Sequence, residues 1–280
     1  MNQKLSASPM PESLALIAGK GVYPLLLAQS AKQQGVKRVA AIAFKHETES
    51  AIGRCADEVK WLRIGQLQAL LDAVKETGAK YAVMAGQLTP TALFHVRLDA
   101  LAISELGRLK ARNAETIFGA VADLLARNGT ELLPASQFME SHMPAAGILS
   151  KRTPTAIEES DIQLGFRAAK ATSGMDIGQT VVVKNGTILA VEAFEGTNAA
   201  IRRAYDLNGA GTVIVKVAKQ GHDMRFDIPV IGMDTMKLLR KVRAAVLAVE
   251  ANRTIILERE KVVEEANRLN ISLVALEERR

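Results

Sequence analysis

Continuous apolar segments alternate with helical patterns along the first half of the chain. The segments cover residues 14–18, 39–44 and 81–85, with a shorter mixed segment at 59–62, and unbroken apolar runs are typical of strands buried on both faces. Apolar positions after Gly21, and again over residues 66–77, recur with helical spacing and end at Gly35 and Gly78. Strands and helices in this alternation predict right-handed βαβ units around a parallel sheet.

The alternation of strands and helices ends near residue 134, where a predicted linker begins. Residues 97–128 are predicted to be largely helical and 132–133 to form a strand, whereas the stretch 134–154 carries Pro, Gly and Ser residues typical of a linker. The predicted division is a disordered lead at 1–12, a Rossmann-like N-terminal domain at 13–133, a linker at 134–154 and a C-terminal α/β domain at 155–280.

A β-hairpin is the clearest local signal in the second half. Asn185-Gly186 separates the runs 180–184 and 187–193, and both turn positions of such a hairpin require positive φ. Helices at 198–206 and 235–249 and strands at 213–217 and 230–231 are predicted to follow. The predicted fold class is α/β: an N-terminal Rossmann-like parallel sheet with helices, plus a second α/β domain.

The composition is that of a globular protein, with 48% hydrophobic and 24% charged residues among 280. Cys55 is the single cysteine, and the four histidines lack the spacing of a metal motif. No apolar run approaches the roughly 18 to 20 residues of a membrane span, so a cytoplasmic protein is predicted. The 36 basic and 30 acidic residues give a net charge of +6, which favours anionic partners. Nucleic acid is not expected among them, because only 4% of residues are aromatic and available for base stacking.

A glycine turn, Gly19-Lys20-Gly21, follows the first strand and opens the first helix. Backbone N–H groups at such a turn bind phosphate, although a tight turn that only lets the helix pack on the strand explains the same residues. The dinucleotide fingerprint is incomplete, since Pro24 stands at the third glycine position and Lys45 stands where a carboxylate is expected. Gly86 ends the fourth strand and is predicted to lie at the same sheet edge.

Polar residues cluster at three places in the second half. Residues 176–179 precede the hairpin and 192–198 follow it, where Thr197 or Asn198 also fits a helix N-cap. Residues 216–229 hold two lysines, one arginine, one histidine and two aspartates. Carboxylates bind Mg²⁺ or Mn²⁺ while Lys and Arg neutralise phosphate oxygens, so this segment is either a phosphoryl-transfer loop or a solvated charged loop.

Four motifs, taken in order, resemble the metal-dependent UDP-2,3-diacylglucosamine diphosphatases of lipid A biosynthesis. They read Leu-Ile-Ala-Gly-Lys-Gly-Val-Tyr-Pro at 16–24, Asp-Ile-Gly-Gln at 176–179, Val-Glu-Ala-Phe-Glu-Gly-Thr at 191–197 and Arg-Phe-Asp-Ile-Pro at 225–229. The resemblance extends from residue 16 to about residue 257. It implies hydrolysis of the substrate's pyrophosphate to UMP and 2,3-diacylglucosamine 1-phosphate, with Mg²⁺ or Mn²⁺ and with the ligand in a cleft between two domains.

The resemblance also implies a set of site residues. Asp227 matches the family's essential aspartate, and we expect it to be the catalytic residue and a metal ligand on a loop of the C-terminal domain. Asp223, from the same loop, is the second expected metal ligand because of its carboxylate. The substrate-binding residues expected from the motifs and strand ends are Gly19, Lys20, Gly21, Gly86, Gln179, Glu195, Gly196, Thr197 and Lys219.

Two alternatives stay open. A non-catalytic protein that binds a nucleotide sugar or a lipid phosphate is one, because Asn198 stands where the family commonly has Asp and 219–223 reads Lys-Gln-Gly-His-Asp where it tends to read Lys-Pro-x-Gln-Asp. An NAD(P)-dependent oxidoreductase is the other, and it rests only on the pattern of the first domain.

The implied substrate is a lipid-linked nucleotide sugar with two acyl chains, so we expect the protein to visit a membrane surface. Its net charge of +6 predicts weak, salt-sensitive association with an anionic leaflet. An apolar groove near the interdomain cleft is expected to take the acyl chains. The predicted location is cytoplasmic and peripheral to the inner membrane, and a homodimer is left open.

Overall fold

The computed structural model describes residues 10–87, 97–110, 113–219, 223–226 and 228–277, and these fall into two compact units. The first unit contains the described residues up to Phe138 together with residues 223–226, and the second contains the remaining described residues from Met139 onward. Both units are α/β, as the sequence predicts. Residues 1–9 of the predicted disordered lead lie outside the described residues.

A parallel sheet forms the centre of the first unit. Its strands are β1 (Ser13–Ala18), β2 (Arg38–Phe44), β3 (Glu58–Leu62), β4 (Tyr81–Ala85) and β5 (Glu131–Leu132), in the order β3-β2-β1-β4-β5 with all pairs parallel. The central strand is unbroken and apolar because both faces are covered, and residues 14–18 are each at most 1% exposed. The strand order reverses between β1 and β4, and such a reversal opens a crevice at the carboxyl ends of parallel strands.

The described α-helices of this unit are α1 (Tyr23–Gln33), α2 (Leu67–Glu76), α3 (Ala100–Arg108) and α4 (Ala114–Arg127), and Ser50–Arg54 forms a short 3-10 helix. The last two divide the predicted helical stretch 97–128. The side chains of Asp99 and Asn113 each accept a hydrogen bond from a backbone N–H three residues on, at 2.8 and 2.9 Å, so each helix has its own N-cap. Leu71 of α2 and Leu125 of α4 pack on the sheet in one apolar core.

A mixed sheet forms the centre of the second unit. Its strands are β6 (Gly147–Ile148), β7 (Thr180–Lys184), β8 (Thr187–Val191), β9 (Val213–Lys216), β11 (Val246–Glu250) and β13 (Ser272–Leu276), in the order β6-β13-β11-β9-β7-β8, while β10 (Val230–Ile231) and β12 (Ile255–Ile256) form a separate parallel pair. Strands β9, β11 and β13 are parallel to one another, and β7 runs antiparallel to both β8 and β9. The ends of β8, β9 and β11 and the start of β7 therefore lie at one edge.

The described α-helices of the second unit are α5 (Ala156–Gly174), α6 (Thr197–Asn208), α7 (Met233–Val242) and α8 (Arg259–Arg268), and Glu140–His142 forms a single 3-10 turn. The predicted hairpin is confirmed, with Asn185 and Gly186 at φ values of 50° and 75°. Buried Asp161 of α5 accepts hydrogen bonds from both of their N–H groups, at 2.8 and 2.6 Å. The hairpin turn is thus tied to the helix that covers it.

The helix predicted over residues 235–249 is wrong in its second half. α7 ends at Val242, Arg243 takes a left-handed conformation with a φ of 48°, and the central strand β11 begins at Val246. The sequence from 244 to 249 is wholly apolar. A short apolar run does not distinguish a buried helix from a buried strand by its period, and here the strand is the outcome.

Two segments differ from the predicted domain division. The stretch 134–154, predicted as a linker, contains β6, which pairs with β13. Residues 223–226 were expected in the C-terminal domain but group with the first unit. The physical reason is local packing: the N–H of Ala135 donates to the carbonyl oxygen of Met224 at 2.7 Å, and the Phe226 ring lies 5.9 Å from that of Phe118.

Candidate active site

The glycine turn after β1 lies at the carboxyl edge of the first sheet. The N–H of Lys20 donates to the carbonyl oxygen of Gln87 at 2.9 Å, and the N–H of Gln87 donates back at 3.1 Å, which joins the ends of β1 and β4. A Cβ on Gly19 would lie 2.8 Å from the Gln87 oxygen, and one on Gly86 would lie 2.8 Å from the Lys20 oxygen. These two glycines are required by the close approach of two backbones.

Gly21 and the start of α1 have the features of an anion site. Gly21 has a φ of 92°, and a Cβ added to it would meet no other atom within 4 Å, so the backbone conformation rather than crowding favours glycine there. α1 begins after Val22, and within the described residues no side-chain hydrogen bond caps it. Uncapped N–H groups at a helix N-terminus attract anions, and the exposed side chain of Lys20 adds positive charge nearby.

Ala135 connects this helix start to the segment 223–226. Its carbonyl oxygen accepts a hydrogen bond from the hydroxyl of Tyr23, the first residue of α1, while its N–H donates to Met224. Burial raises the pKa of Tyr23 far above its usual value, so the hydroxyl stays a neutral donor. The structure therefore places the glycine turn and the segment that carries Asp223 in one connected part of the first unit.

Asp223 lies in a turn and is held by an arginine. Its Oδ1 accepts from Nε of Arg225 at 2.9 Å and its Oδ2 from Nη2 of Arg225 at 2.5 Å. The hydrogen bonds with Asp223 raise the pKa of Arg225, so the guanidinium stays charged. The predicted catalytic residue, Asp227, lies outside the described residues, as do residues 220–222.

A polar cluster lies at the edge of the second sheet where β8 and β9 end and β7 begins. The Thr197 hydroxyl donates to Oε1 of Glu192 at 2.9 Å and accepts from Nζ of Lys216 at 3.0 Å, with Oγ1 of Thr180 at 3.3 Å. Oε2 of Glu192 is buried and has no hydrogen-bond partner among the described residues. Because a buried carboxylate oxygen without a partner is costly, this oxygen is a candidate for contact with a ligand.

The motif at 176–179 contributes to the same edge. Nζ of Lys219 donates to Oδ1 of Asp176 at 2.9 Å, and the Lys219 side chain is 14% exposed. The carbonyl oxygen of Gln179 accepts from the N–H of Val217 at 3.0 Å, which holds the start of β7 against the end of β9. A Cβ on Gly178 would lie 2.1 Å from the Glu192 carbonyl oxygen, so the glycine lets this motif approach the cluster.

Glu195 and Gly196 shape the turn before α6. Glu195 accepts a hydrogen bond from Arg203 at 2.7 Å. The pKa of its carboxyl group is lowered mainly by a hydrogen bond from its own backbone N–H and, to a smaller extent, by the one from Arg203. The N-cap of α6 is Gly196, with a φ of 82°, and not Thr197 or Asn198 as one interpretation of the sequence held. Thr197 is the first helical residue, so its hydroxyl is used in the polar cluster instead.

The predicted site residues thus form two groups, one in each unit. Gly19, Lys20, Gly21 and Gly86 share the first edge, and Gln179, Thr197 and Lys219 share the second. Glu192 and Lys216 complete the polar cluster but were not among the predicted site residues, although a polar residue at the end of an apolar strand was the available signal. Among the residues that the structure describes, no group of three or more His, Cys, Asp or Glu side chains is placed to hold a metal ion.

Two family models cover nearly all of the chain. The model of the LpxI N-terminal domain matches residues 13–142, and that of the LpxI C-terminal domain matches residues 145–274. The chain belongs to the LpxI family. The resemblance inferred from four short motifs is therefore confirmed, and the LpxI domain boundary falls within the stretch 134–154.

A related LpxI protein is the UDP-2,3-diacylglucosamine pyrophosphatase LpxI of Caulobacter vibrioides, which is 27% identical over 277 residues, or 94% of this chain and 97% of the relative. Solved structures are much less similar. A biotin carboxylase from Campylobacter jejuni is 12% identical with a TM-score of 0.28, over 70% of this chain and 42% of that one. Pyruvate carboxylase from Rhizobium etli is 13% identical with a TM-score of 0.30, and the match covers 68% of this chain and 17% of the carboxylase. Likenesses this weak do not establish a shared fold.

Proposed function

We propose that this LpxI-family protein hydrolyses the pyrophosphate bond of UDP-2,3-diacylglucosamine in lipid A biosynthesis. The oxygen of one water molecule bonds to one phosphorus, and the bond from that phosphorus to the bridging oxygen breaks. UMP and 2,3-diacylglucosamine 1-phosphate leave, and the two protons of the water are released or taken up by the products. The proposal is carried by the family match over both domains together with the relative that is named for this activity.

The described residues are suited to binding a diphosphate. In the first unit, Gly21 and the start of α1 present N–H groups, and the exposed side chain of Lys20 adds a positive charge. In the second unit, Lys216 ends β9 and contacts Thr197 at the start of α6, and Lys219 follows three residues later and pairs with Asp176. Positive groups that are already positioned stabilise phosphoryl oxygens without further reorganisation, so we assign these residues to substrate binding.

A divalent cation is proposed as cofactor, and the described residues fit it in part. Asp223, one of the two ligands proposed, already pairs with Arg225 through both oxygens. Glu192 Oε2 is a buried carboxylate oxygen of the type that Mg²⁺ and Mn²⁺ prefer. Mg²⁺ usually takes one or two carboxylates together with substrate phosphates, so a larger preformed cluster is not required. An ion held by one of these carboxylates and by the substrate would neutralise charge that develops on the phosphate oxygens.

The test of function is product analysis in ¹⁸O-labelled water with the purified full chain. We expect equimolar UMP and 2,3-diacylglucosamine 1-phosphate, with one ¹⁸O in one of them, and loss of turnover after chelation that Mg²⁺ or Mn²⁺ restores. Substrate binding without products would favour the non-catalytic alternative. Hydrolysis unaffected by chelation would reject the metal but retain the hydrolase, and binding of a reduced nicotinamide cofactor without hydrolysis would favour the oxidoreductase.

Transient association with an anionic membrane surface is also proposed, because a diacylated substrate resides there. Among the described helices, none is long and apolar enough to cross a bilayer. The net charge of +6 favours an anionic leaflet, at roughly 1 kcal/mol for each well-placed Lys or Arg. Near the second polar cluster, Met175, Ile177 and Phe194 are 65%, 43% and 92% exposed and supply apolar contact.

Vesicle sedimentation is expected to show binding to anionic vesicles that weakens as salt rises, since the Debye length is only about 10 Å at 0.1 M. Phe194→Ser is expected to weaken this binding about tenfold, the effect of losing burial of one large apolar side chain. Leu207→Ser is the matched control, because Leu207 is 66% exposed at the opposite end of α6. Equal binding to neutral and anionic vesicles would show that charge does not bring the protein to the membrane.

A further inference from the structure

The hydroxyl of Tyr23 is buried in the first unit and has a specific partner. Tyr23 is 5% exposed, and its hydroxyl donates to the carbonyl oxygen of Ala135, a residue that is 2% exposed. A buried tyrosine hydroxyl is costly without a hydrogen bond, and so is a buried carbonyl oxygen. A phenylalanine at position 23 would fill the same space but would leave the Ala135 carbonyl oxygen without this donor.

Ala135 links Tyr23 to the segment 223–226. Its N–H donates to the carbonyl oxygen of Met224 at 2.7 Å, while its carbonyl oxygen accepts from Tyr23. The segment groups with the first unit, whereas the described residues on both sides of it, 139–219 and 228–277, group with the second. Its place on the first unit therefore depends on tertiary contacts such as this hydrogen bond, and not on its neighbours along the chain.

The turn that contains Ala135 is also held by the other end of α1. Oγ of Ser30 and Nε2 of Gln34 both donate to the carbonyl oxygen of Phe138, at 2.5 and 3.1 Å. Phe138 is fully buried and has a φ of 66°, which is uncommon for a residue other than glycine. Hydrogen bonds from α1 thus hold both ends of the turn 135–138, and they fix the position of Ala135 on the helix.

Tyr23 is also the first residue of the helix whose start is assigned to phosphate binding. The proposed catalytic residue, Asp227, directly follows the segment 223–226 in the sequence. Cleavage of a pyrophosphate requires the groups that bind it and the group that acts on it to stay at a fixed separation. A displacement of about 1 Å at a reacting group costs on the order of 100-fold in rate.

We propose that Tyr23 is a positioning residue, which holds the segment 223–226, and with it the proposed catalytic loop, at a fixed place relative to the start of α1. Tyr23 acts through Ala135 and needs no contact with the substrate. The inference rests on the proposed function and adds to it a residue whose role is geometric.

Tyr23→Phe tests this role in the full chain. We expect kcat to fall about tenfold and KM to change less than about twofold, because the binding groups remain while the loop shifts. Hydrogen exchange followed by mass spectrometry should become faster in the peptides that contain residues 134–138 and 223–226, and it should stay unchanged in β1 and β2.

Thr130→Val is the matched control. The Thr130 hydroxyl is buried and donates to a backbone carbonyl oxygen of the same unit, that of Ala79, at 3.2 Å. The two residues precede β5 and β4, so this bond lies at the opposite edge of the sheet from the glycine turn. The control should lower the melting temperature, as Tyr23→Phe does, but leave kcat and the exchange of 223–226 unchanged.

A second variant keeps the test decisive if Tyr23→Phe fails to fold. Ser30→Ala combined with Gln34→Ala releases the Phe138 end of the turn and should lower kcat about threefold, with the same local rise in exchange. Wild-type kcat in the variant that folds would overturn the proposal. So would a loss of kcat without faster exchange at 223–226, or an equal loss of kcat in Thr130→Val.

Exchange does not require turnover, so this proposal and the proposed function fail separately. If the wild type forms UMP and the lipid product and Tyr23→Phe matches it in kcat and in exchange, the positioning role fails and the hydrolase stands. If the wild type forms no product but Tyr23→Phe speeds exchange at 223–226, the hold of Tyr23 on the segment stands and the hydrolase fails.

Discussion

Lys170→Met is expected to destabilise the second unit by about 3–5 kcal/mol, the range for breaking a buried ion pair. Nζ of Lys170 donates to the two carboxylate oxygens of Glu250 at 2.9 and 3.0 Å, and the two residues are 9% and 2% exposed. Removal of the ammonium group leaves a buried carboxylate whose nearest positive group among the described residues is the more distant Arg253, at 3.6 Å. Calorimetry should show the corresponding melting transition lowered by about 10 °C or more.

The pair also fixes the backbone that leads into the loop at 219–227. Nζ of Lys170 donates to the carbonyl oxygen of Ala218 at 3.2 Å, and the N–H of Ala218 donates to Oε2 of Glu250 at 2.8 Å. Both polar groups of this residue therefore depend on the ion pair. Loss of Lys170 should loosen the start of the loop as well as lower stability.

The matched control is Lys237→Met in α7. Lys237 pairs with Asp234 at 2.7 Å, but the two side chains are 65% and 94% exposed, so less than about 1 kcal/mol is expected. In the double variant Lys170→Met with Glu250→Gln, the amide oxygen still serves Ala218 and no buried charge is left unpaired, so the cost should be less than the sum of the single variants. Similar melting temperatures for Lys170→Met and Lys237→Met would contradict the argument.

The first unit was largely predictable because its signals are local. Each of its apolar runs is a buried strand, and the glycines that end β1 and β4 mark where backbones approach closely. The hairpin at Asn185-Gly186 was predictable for the same reason, since its positive φ values restrict the residue types. The parallel sheet then follows from the alternation of strands and helices.

The polar cluster of the second unit was not predictable in the same way. From the sequence alone, Thr197 fitted a helix N-cap as well as a binding site. Only the tertiary structure shows that Gly196 is the cap and that Lys216 donates to the Thr197 hydroxyl. Lys170 and Glu250 are 80 residues apart in sequence, and neither carries a local signal for a buried pair. The predicted position of the ligand between two domains stays a prediction, as does the metal.

Asp227→Ala is expected to fold like the wild type and to lose at least ~100-fold in turnover, the scale of removing one acid–base or electrostatic group from an active site. Folding should be retained because its neighbours are anchored independently: Phe226 packs on Phe118, and Ile228 is 9% exposed. The measurement is kcat for the diacylated substrate at saturating Mg²⁺ or Mn²⁺, with the melting temperature as the test of folding.

Two further variants separate the role of Asp227 from that of a general negative charge. Asp227→Asn keeps the shape but removes the charge that would hold a cation or orient water, so it should be about as inactive as Asp227→Ala. Asp234→Ala removes a carboxylate that is 94% exposed in the side chain and should leave kcat unchanged. If Asp227→Ala kept more than about half of wild-type turnover, a barrier change below roughly 0.5 kcal/mol, the chemistry would have to be assigned to another group. Glu192 would be the next to test, because its buried Oε2 has no hydrogen-bond partner in the described part of the chain.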